Sequence, residues 1–339
     1  ANVGSLKFHN AQNLTIGRIS GALGSSGTVT VDGITATYAE NGAKVVKSSG
    51  TISVTSEQSL TIDGQVRSVN GADKNLDGIN TTIHLQAGGT LTTSSAAVIT
   101  TTSEAPSGPS GSITLTADKM NFDSASRVIG TGILNIRPLK TETNVTIGGS
   151  GGLELARTLF SGASPVIQDG FAMLYLGHAN GTGTVTVDGA VTFEDPVTIQ
   201  SPGQGGQIVM ASTGKIDNSS TNQAVTLKAD SIVTNIGSLL TAGQGKTILE
   251  ANRMTFNGGT ITSNGSIANP AGLLIIQSLD KTKRITLGKQ INGVDQTFSV
   301  EDLVLDAAAF NGSVISNMYQ SITIGRDMIP EVDDQPAIP

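Results

Sequence analysis

Short strand-like runs in which alternate positions are mostly Val, Ile or Leu recur along the chain, as at Thr51–Val54, Ser59–Ile62, Thr82–Leu85, Thr90–Thr93 and Ser112–Leu115. Alternation of this kind predicts strands with one buried face. Gly, Asn, Asp and Ser between the runs are turn formers. Two or three runs per turn of chain predict coils of about 20 to 25 residues, the scale of a solenoid repeat. In a solenoid each strand pairs with its equivalents above and below. Two leucine-rich segments, Gly152–Phe160 and Ser299–Phe310, break the alternation and are expected to form short helical inserts over one flank. Glu104–Gly111 reads as a loop. Residues 329–339 hold three prolines and three acids, so they cannot form a central strand and read as an extended tail.

The runs belong to longer repeats. Gly27-Thr-Val-Thr-Val-Asp-Gly33 recurs unchanged as Gly183-Thr-Val-Thr-Val-Asp-Gly189. Leu14-Thr-Ile-Gly17, Leu174-Tyr-Leu-Gly177 and Ile322-Thr-Ile-Gly325 form a second set, spaced almost evenly along the chain. A third set pairs Ile113–Phe122 with Thr247–Phe256, Ile133–Ile136 with Leu273–Ile276, and Val145–Gly148 with Ile285–Gly288. This predicts one elongated all-β body over residues 1–328, made of two long repeats at about 14–173 and 174–325. The two ends fall at the same phase of the cycle, which points to a longer array or to chains meeting end to end.

Composition narrows the class. The chain has 339 residues with 42 Gly and only 3% aromatics, so its core must be narrow and filled by small branched side chains. The net charge of −7 and the lack of a Lys/Arg stripe argue against nucleic acid as a partner. Cysteine is absent, which removes disulfides and thiolate metal sites. No apolar run approaches the roughly 18 residues of a membrane span, and Ala1–Phe8 is not a signal peptide.

The LTIG-type strands, GTVTVDG-type runs and leucine-rich inserts, clearest in 132–195 and 272–326, resemble the filamentous haemagglutinin-like exoproteins of two-partner secretion. The resemblance implies a right-handed parallel β-helix exported to the cell surface, with adhesive, matrix or filament roles. That family's secretion domain carries Asn-Pro-Asn-type motifs. The nearest match here is Asn269-Pro-Ala-Gly-Leu273, so the chain is read as shaft. The expected function is structural or adhesive and not enzymatic. The expected partners are further copies of the chain, head to tail through the exposed ends of the coil, and surface or matrix polysaccharide. A carbohydrate-binding adhesin module is the alternative, and a polysaccharide lyase or hydrolase a more distant one.

Candidate chemistry is sparse. Asp73, Asn75 and Asp77, in Asp73-Lys-Asn-Leu-Asp-Gly78, match the opening of an oxygen-rich calcium loop, but His84 stands where the bidentate Glu belongs. The plain alternative is an Asx-rich turn. No other cofactor is expected. His9, His84 and His178 show no metal-ligand spacing. The acid pairs Glu194-Asp195, Glu301-Asp302 and Asp333-Asp334 are read as solvated, since glycosidases need carboxylates across a cleft. Arg137–Lys140 and Lys281–Arg284 are basic turns at equivalent places, suited to an anionic polysaccharide if they form one row. Seven Asn-X-Ser/Thr sequons start at Asn13, Asn80, Asn144, Asn180, Asn218, Asn264 and Asn311, little above chance for this composition. Gly203-Gln-Gly-Gly206 lacks the Lys-Ser/Thr of a phosphate loop.

Overall fold

Branched side chains on a pleated backbone stack best against their own kind, and here the strands do so in parallel. The computed structural model describes residues 5–22, 28–32, 34–37, 51–70, 82–103, 111–287, 290–291, 294–295, 303–305 and 307–325. These residues are nearly all strand and turn, with two single 3-10 turns and no α-helix. One long ladder runs through Ser5–Asn10, Thr51–Ser56, Thr82–Ala87, Ser112–Thr116, Ile133–Arg137, Met173–Leu176 and Val197–Ser201. It continues through the first halves of Val225–Asn235 and Lys246–Asn257, then Leu273–Gln277 and Ser321–Ile324, every step parallel.

Between its visits to this ladder the chain enters two others in fixed order. Thr51–Ser56 is followed by Leu60–Asp63 and Gln65–Asn70, and Thr82–Ala87 by Thr90–Thr93 and Val98–Ser103. The second set pairs in parallel, Leu60 with Leu91 and Leu91 with Met120. So does the third, Val66 with Ile99 and Ile99 with Val128. The turn of chain from Ile52 to its ladder partner Ile83 is longer than the turn from Val225 to Thr247. A spacing of about 20 to 25 residues between successive strands of the ladder occurs only where the connections are short.

Period-two alternation in register produces straight columns. Ile52, Ile83, Ile113, Leu134, Leu174, Val197 and Val225 form one, and Val54, Leu85, Leu115, Ile136, Leu176, Ile199, Leu227, Leu249 and Ile276 the next, all buried. Each such side chain contributes about 1.5–3 kcal/mol by leaving water. Thr247 interrupts the first column. Its hydroxyl lies 3.4 Å from the buried Tyr319 Oη, which donates to the Thr262 carbonyl at 2.7 Å. The phenol thus fills the gap and satisfies its own proton. Burial pushes the Tyr319 pKa up to about 12, against the opposing Thr247 hydrogen bond.

The repeats fare unequally. Leu174–Leu176 and Ile322–Ile324 occupy the same ladder, and Gly177 and Gly325 donate their N–H to Ile136 and Ile276, each at 2.9 Å. Leu14–Gly17 does not match them: it pairs with Leu60–Asp63 in the second ladder. The identical heptapeptides also differ. Thr184–Val187 lies between two parallel neighbours, whereas Thr28–Asp32 forms an antiparallel hairpin with Arg18–Ala22. The expected equivalence of these copies is therefore corrected. Alternating Thr and Val specify a strand with two unlike faces but not its partner or direction. The tail, 329–339, lies outside the described residues.

The leucine-rich inserts are corrected as well. Leu153–Leu155 and Leu303–Leu305 are strands, each followed by a 3-10 turn, Arg157–Leu159 and Ala307–Phe310. Leu153 and Leu155 are buried and Glu154 is exposed, a period of two, which fits a strand and not a helix. Leu153–Leu155 pairs in parallel with Val145–Ile147, which itself pairs with Thr184–Val187. The insert thus adds an end strand to the row formed by Val145–Ile147, Thr184–Val187 and Gln207–Met210. Parallel neighbours usually need a crossover of about a dozen residues or more, and here Gly148–Gly152 suffices. Gly148, Gly151 and Gly152 take φ of +81°, +114° and +63°. A Cβ on Gly152 would also collide with the Asn144 carbonyl. The parallel pairing, though not the five-residue return, recurs at Ile285–Leu287 with Leu303–Leu305.

Candidate functional site

Three features outside the aliphatic columns bring polar side chains together. The first is the corner between the long ladder and the second. Polar side chains there bind backbone of the adjacent layer. The Asp118 carboxylate accepts from the N–H groups of Leu139 (2.9 Å) and Lys140 (3.1 Å) and from the Thr143 hydroxyl. Asn252, its repeat equivalent, accepts the Asp280 N–H at 2.8 Å. Asp230 accepts from Gly205 N–H (3.1 Å), Asn252 Nδ2 (3.0 Å) and Arg253 Nη2 (2.7 Å). Burial alone would raise the Asp230 pKa; these three donors and the Arg253 charge outweigh it and hold it low. Asp230, Asn252 and Arg253, with Gln204, Gly205 and Lys283, line a polar cleft of about 390 Å³.

Of the two basic turns, only Lys283 reaches this cleft, where it meets Arg253. Arg137 lies five ladder steps from Leu273–Gln277, the strand that precedes the Lys281–Arg284 turn, and donates to the Thr116 hydroxyl at 3.1 Å. At about 4.8 Å per step, that is roughly 24 Å. The turns therefore do not form one cluster.

The second feature lies where the Leu153–Leu155 insert leans over Lys119–Asn121. Met120, Asn121, Phe122, Glu154, Ala156, Thr158 and Leu159 line a groove of about 250 Å³. Met120 and Leu159 are buried, Phe122 is half-buried, and Asn121, Glu154 and Thr158 are exposed. None of those three side chains makes a hydrogen bond or ion pair among the described residues. The repeated Met120-Asn-Phe122 and Met254-Thr-Phe256 were visible in the sequence. That the later Leu153–Leu155 insert would wall off a groove beside the first of them was not.

The third feature is a carboxyl pair that sequence reasoning missed. Asp195 does not work with its neighbour Glu194, which is exposed; it is buried and faces Asp169. Its Oδ1 accepts the Gly170 N–H at 3.0 Å. Burial first, then the Asp169 charge, push its pKa up to about 6, against the N–H groups of Gly170 and Phe171. The space beside it, walled by Phe160 and Phe193 in edge-to-face contact, is about 10 Å³, scarcely a water.

Among the other candidates, His9 meets Glu57 at 2.9 Å on the surface. Partial burial and then Arg137 lower the pKa values of His84 and His178. Asn218 is fully buried, its Oδ1 accepting the Phe193 N–H, so a folded chain cannot be modified there. Asn13, Asn144, Asn180, Asn264 and Asn311 are exposed. Asp73, Asn75 and Asp77 lie outside the described residues, as do Asn80, Glu301, Asp302, Asp333 and Asp334. No helix among the described residues is long and apolar enough to cross a membrane. No family model, curated protein or solved structure matches this chain.

Proposed function

We propose that this chain is an extracellular structural and adhesive protein, a right-handed parallel β-helix that serves as a shaft. The observation that carries the reading is the pair of long aliphatic columns along parallel strands entered in cyclic order. Parallel crossovers are almost always right-handed, and a coil of this kind grows layer by layer. The eleven strands of the long ladder make ten steps, so small-angle scattering is expected to give a rod at least about 48 Å long. A globular envelope overturns the reading.

End-to-end association belongs to the same proposal. Ser321–Ile324 has one partner strand among the described residues, and Ile322 is 38% exposed where Leu274, one layer below, is 0% exposed. An edge with no second partner among the described residues and an apolar inward residue favours a further strand. A second copy supplying Ser5–Asn10 would continue the same ladder in the same sense, giving a head-to-tail filament. Light scattering across concentration tests this. Growth that Ile322→Lys abolishes is expected; a stable monomer at high concentration refutes the filament and leaves the shaft.

The adhesive part of the reading, with carbohydrate as ligand, is favoured by the groove at Phe122, where unpaired polar groups border an apolar floor.

A further inference from the structure

We propose that the groove at Phe122 binds an amino sugar bearing a free amine, one residue of a cationic polysaccharide. The proposal rests on the adhesive reading and names its ligand. Two clefts compete for such a role, and hydrogen-bond satisfaction separates them. In the corner cleft, Asp230 is already held by Gly205, Asn252 and Arg253, so a ligand must displace existing bonds. In the Phe122 groove the Glu154 carboxylate, the Asn121 amide and the Thr158 hydroxyl are all uncommitted among the described residues. Free groups of this kind bind without first breaking an internal bond.

Their chemistry fits one sugar ring. The half-buried Phe122, with Met120 and Leu159 beneath, offers an apolar floor for a pyranose C–H face. Asn121 and Thr158 supply donors and acceptors for ring hydroxyls. At about 250 Å³ the groove is smaller than the roughly 300–1,000 Å³ of drug-sized pockets. Glu154 sets the charge preference. Lys119 and Arg157, the nearest cations along the chain, form no ion pair with it among the described residues. Its charge therefore favours an ammonium group and disfavours uronates and sulfates.

The second repeat provides an internal control. Met254 and Phe256 repeat Met120 and Phe122 with the same burial, and Leu303–Leu305 repeats the insert strand. Thr255 replaces Asn121, and Val304 replaces Glu154. One site per chain is expected.

Calorimetric titration of the full chain with a glucosamine tetrasaccharide and with its fully N-acetylated counterpart tests the proposal. Scattering on the same sample verifies the rod. Expected are one site per chain, binding at least about tenfold weaker for the acetylated sugar, and a similar loss with Glu154→Gln. Asn121→Ala, a second surface change, is expected to weaken both sugars. No saturable binding, equal affinity for both sugars, two sites per chain, or an unaffected Glu154→Gln variant each overturns the site. On an intact rod, none of these results touches the shaft.

Discussion

A single carboxyl gives this protein a pH response opposite to ordinary acid denaturation. Asp195 titrates at about 6 in the folded chain because it is buried beside Asp169, against about 3.9 when unfolded. A raised folded pKa means that folding takes up a proton between these values. The stabilisation is complete below pH 4 and is lost as pH rises through 6. Chemical denaturation at pH 4 and pH 8 is expected to show Asp195→Asn gaining on the native chain at the higher pH, by at least about 1 kcal/mol. No difference between the two pH values refutes the raised Asp195 pKa. Asp230 works in the other direction, its pKa being held low by its donors. Asp230→Ala strands three donors and is expected to cost about 1–3 kcal/mol at neutral pH, read as a shift in the denaturant midpoint. Neither partnership was legible in the sequence. Asp169 and Asp195 are distant along the chain, and Asp230 meets Gly205 and Arg253 only because strands remote in sequence pair.

At the scale of elements, alternation was a better guide than composition. Leu153-Glu-Leu155 is rich in helix formers, yet its period of two decided for a strand once two faces were available to bury Leu153 and Leu155. The return between Val145–Ile147 and Leu153–Leu155 depends on glycines at positive φ. Gly152→Ala is expected to destabilise the insert by more than about 1 kcal/mol. Amide exchange would show it as faster opening at Val145–Ile147, while Ser150→Ala in the same loop leaves those amides protected. The identical heptapeptides bound what local sequence can say: each forms a strand, one in an antiparallel hairpin and the other in a parallel ladder.

At the scale of the whole molecule, the long parallel ladder couples each strand to its neighbours, so damage should spread according to position. Leu176→Lys puts an unpaired charge into a central column and is expected to abolish cooperative unfolding, with loss of strand signal in circular dichroism. Ile324→Lys, in the last strand of the long ladder, is expected to leave the melt of the remaining layers nearly unchanged. Equal effects of the two substitutions would mean that the layers do not couple through these columns.

By itself the sequence determined the strands, their buried faces, and the match between residues 113–177 and 247–325, because each follows from period-two alternation and local turn chemistry. Only the tertiary structure decided which strands are partners, how the inserts double back, and which polar groups meet at the corner, at the Phe122 groove and at Asp195. The reason is physical. Alternation fixes which face of a strand turns inward, but a ladder partner lies far away along the chain, as Leu134 does from Ile113 and Ile322 from Leu274. Every Val- and Ile-rich strand of this chain presents nearly the same surface to each candidate.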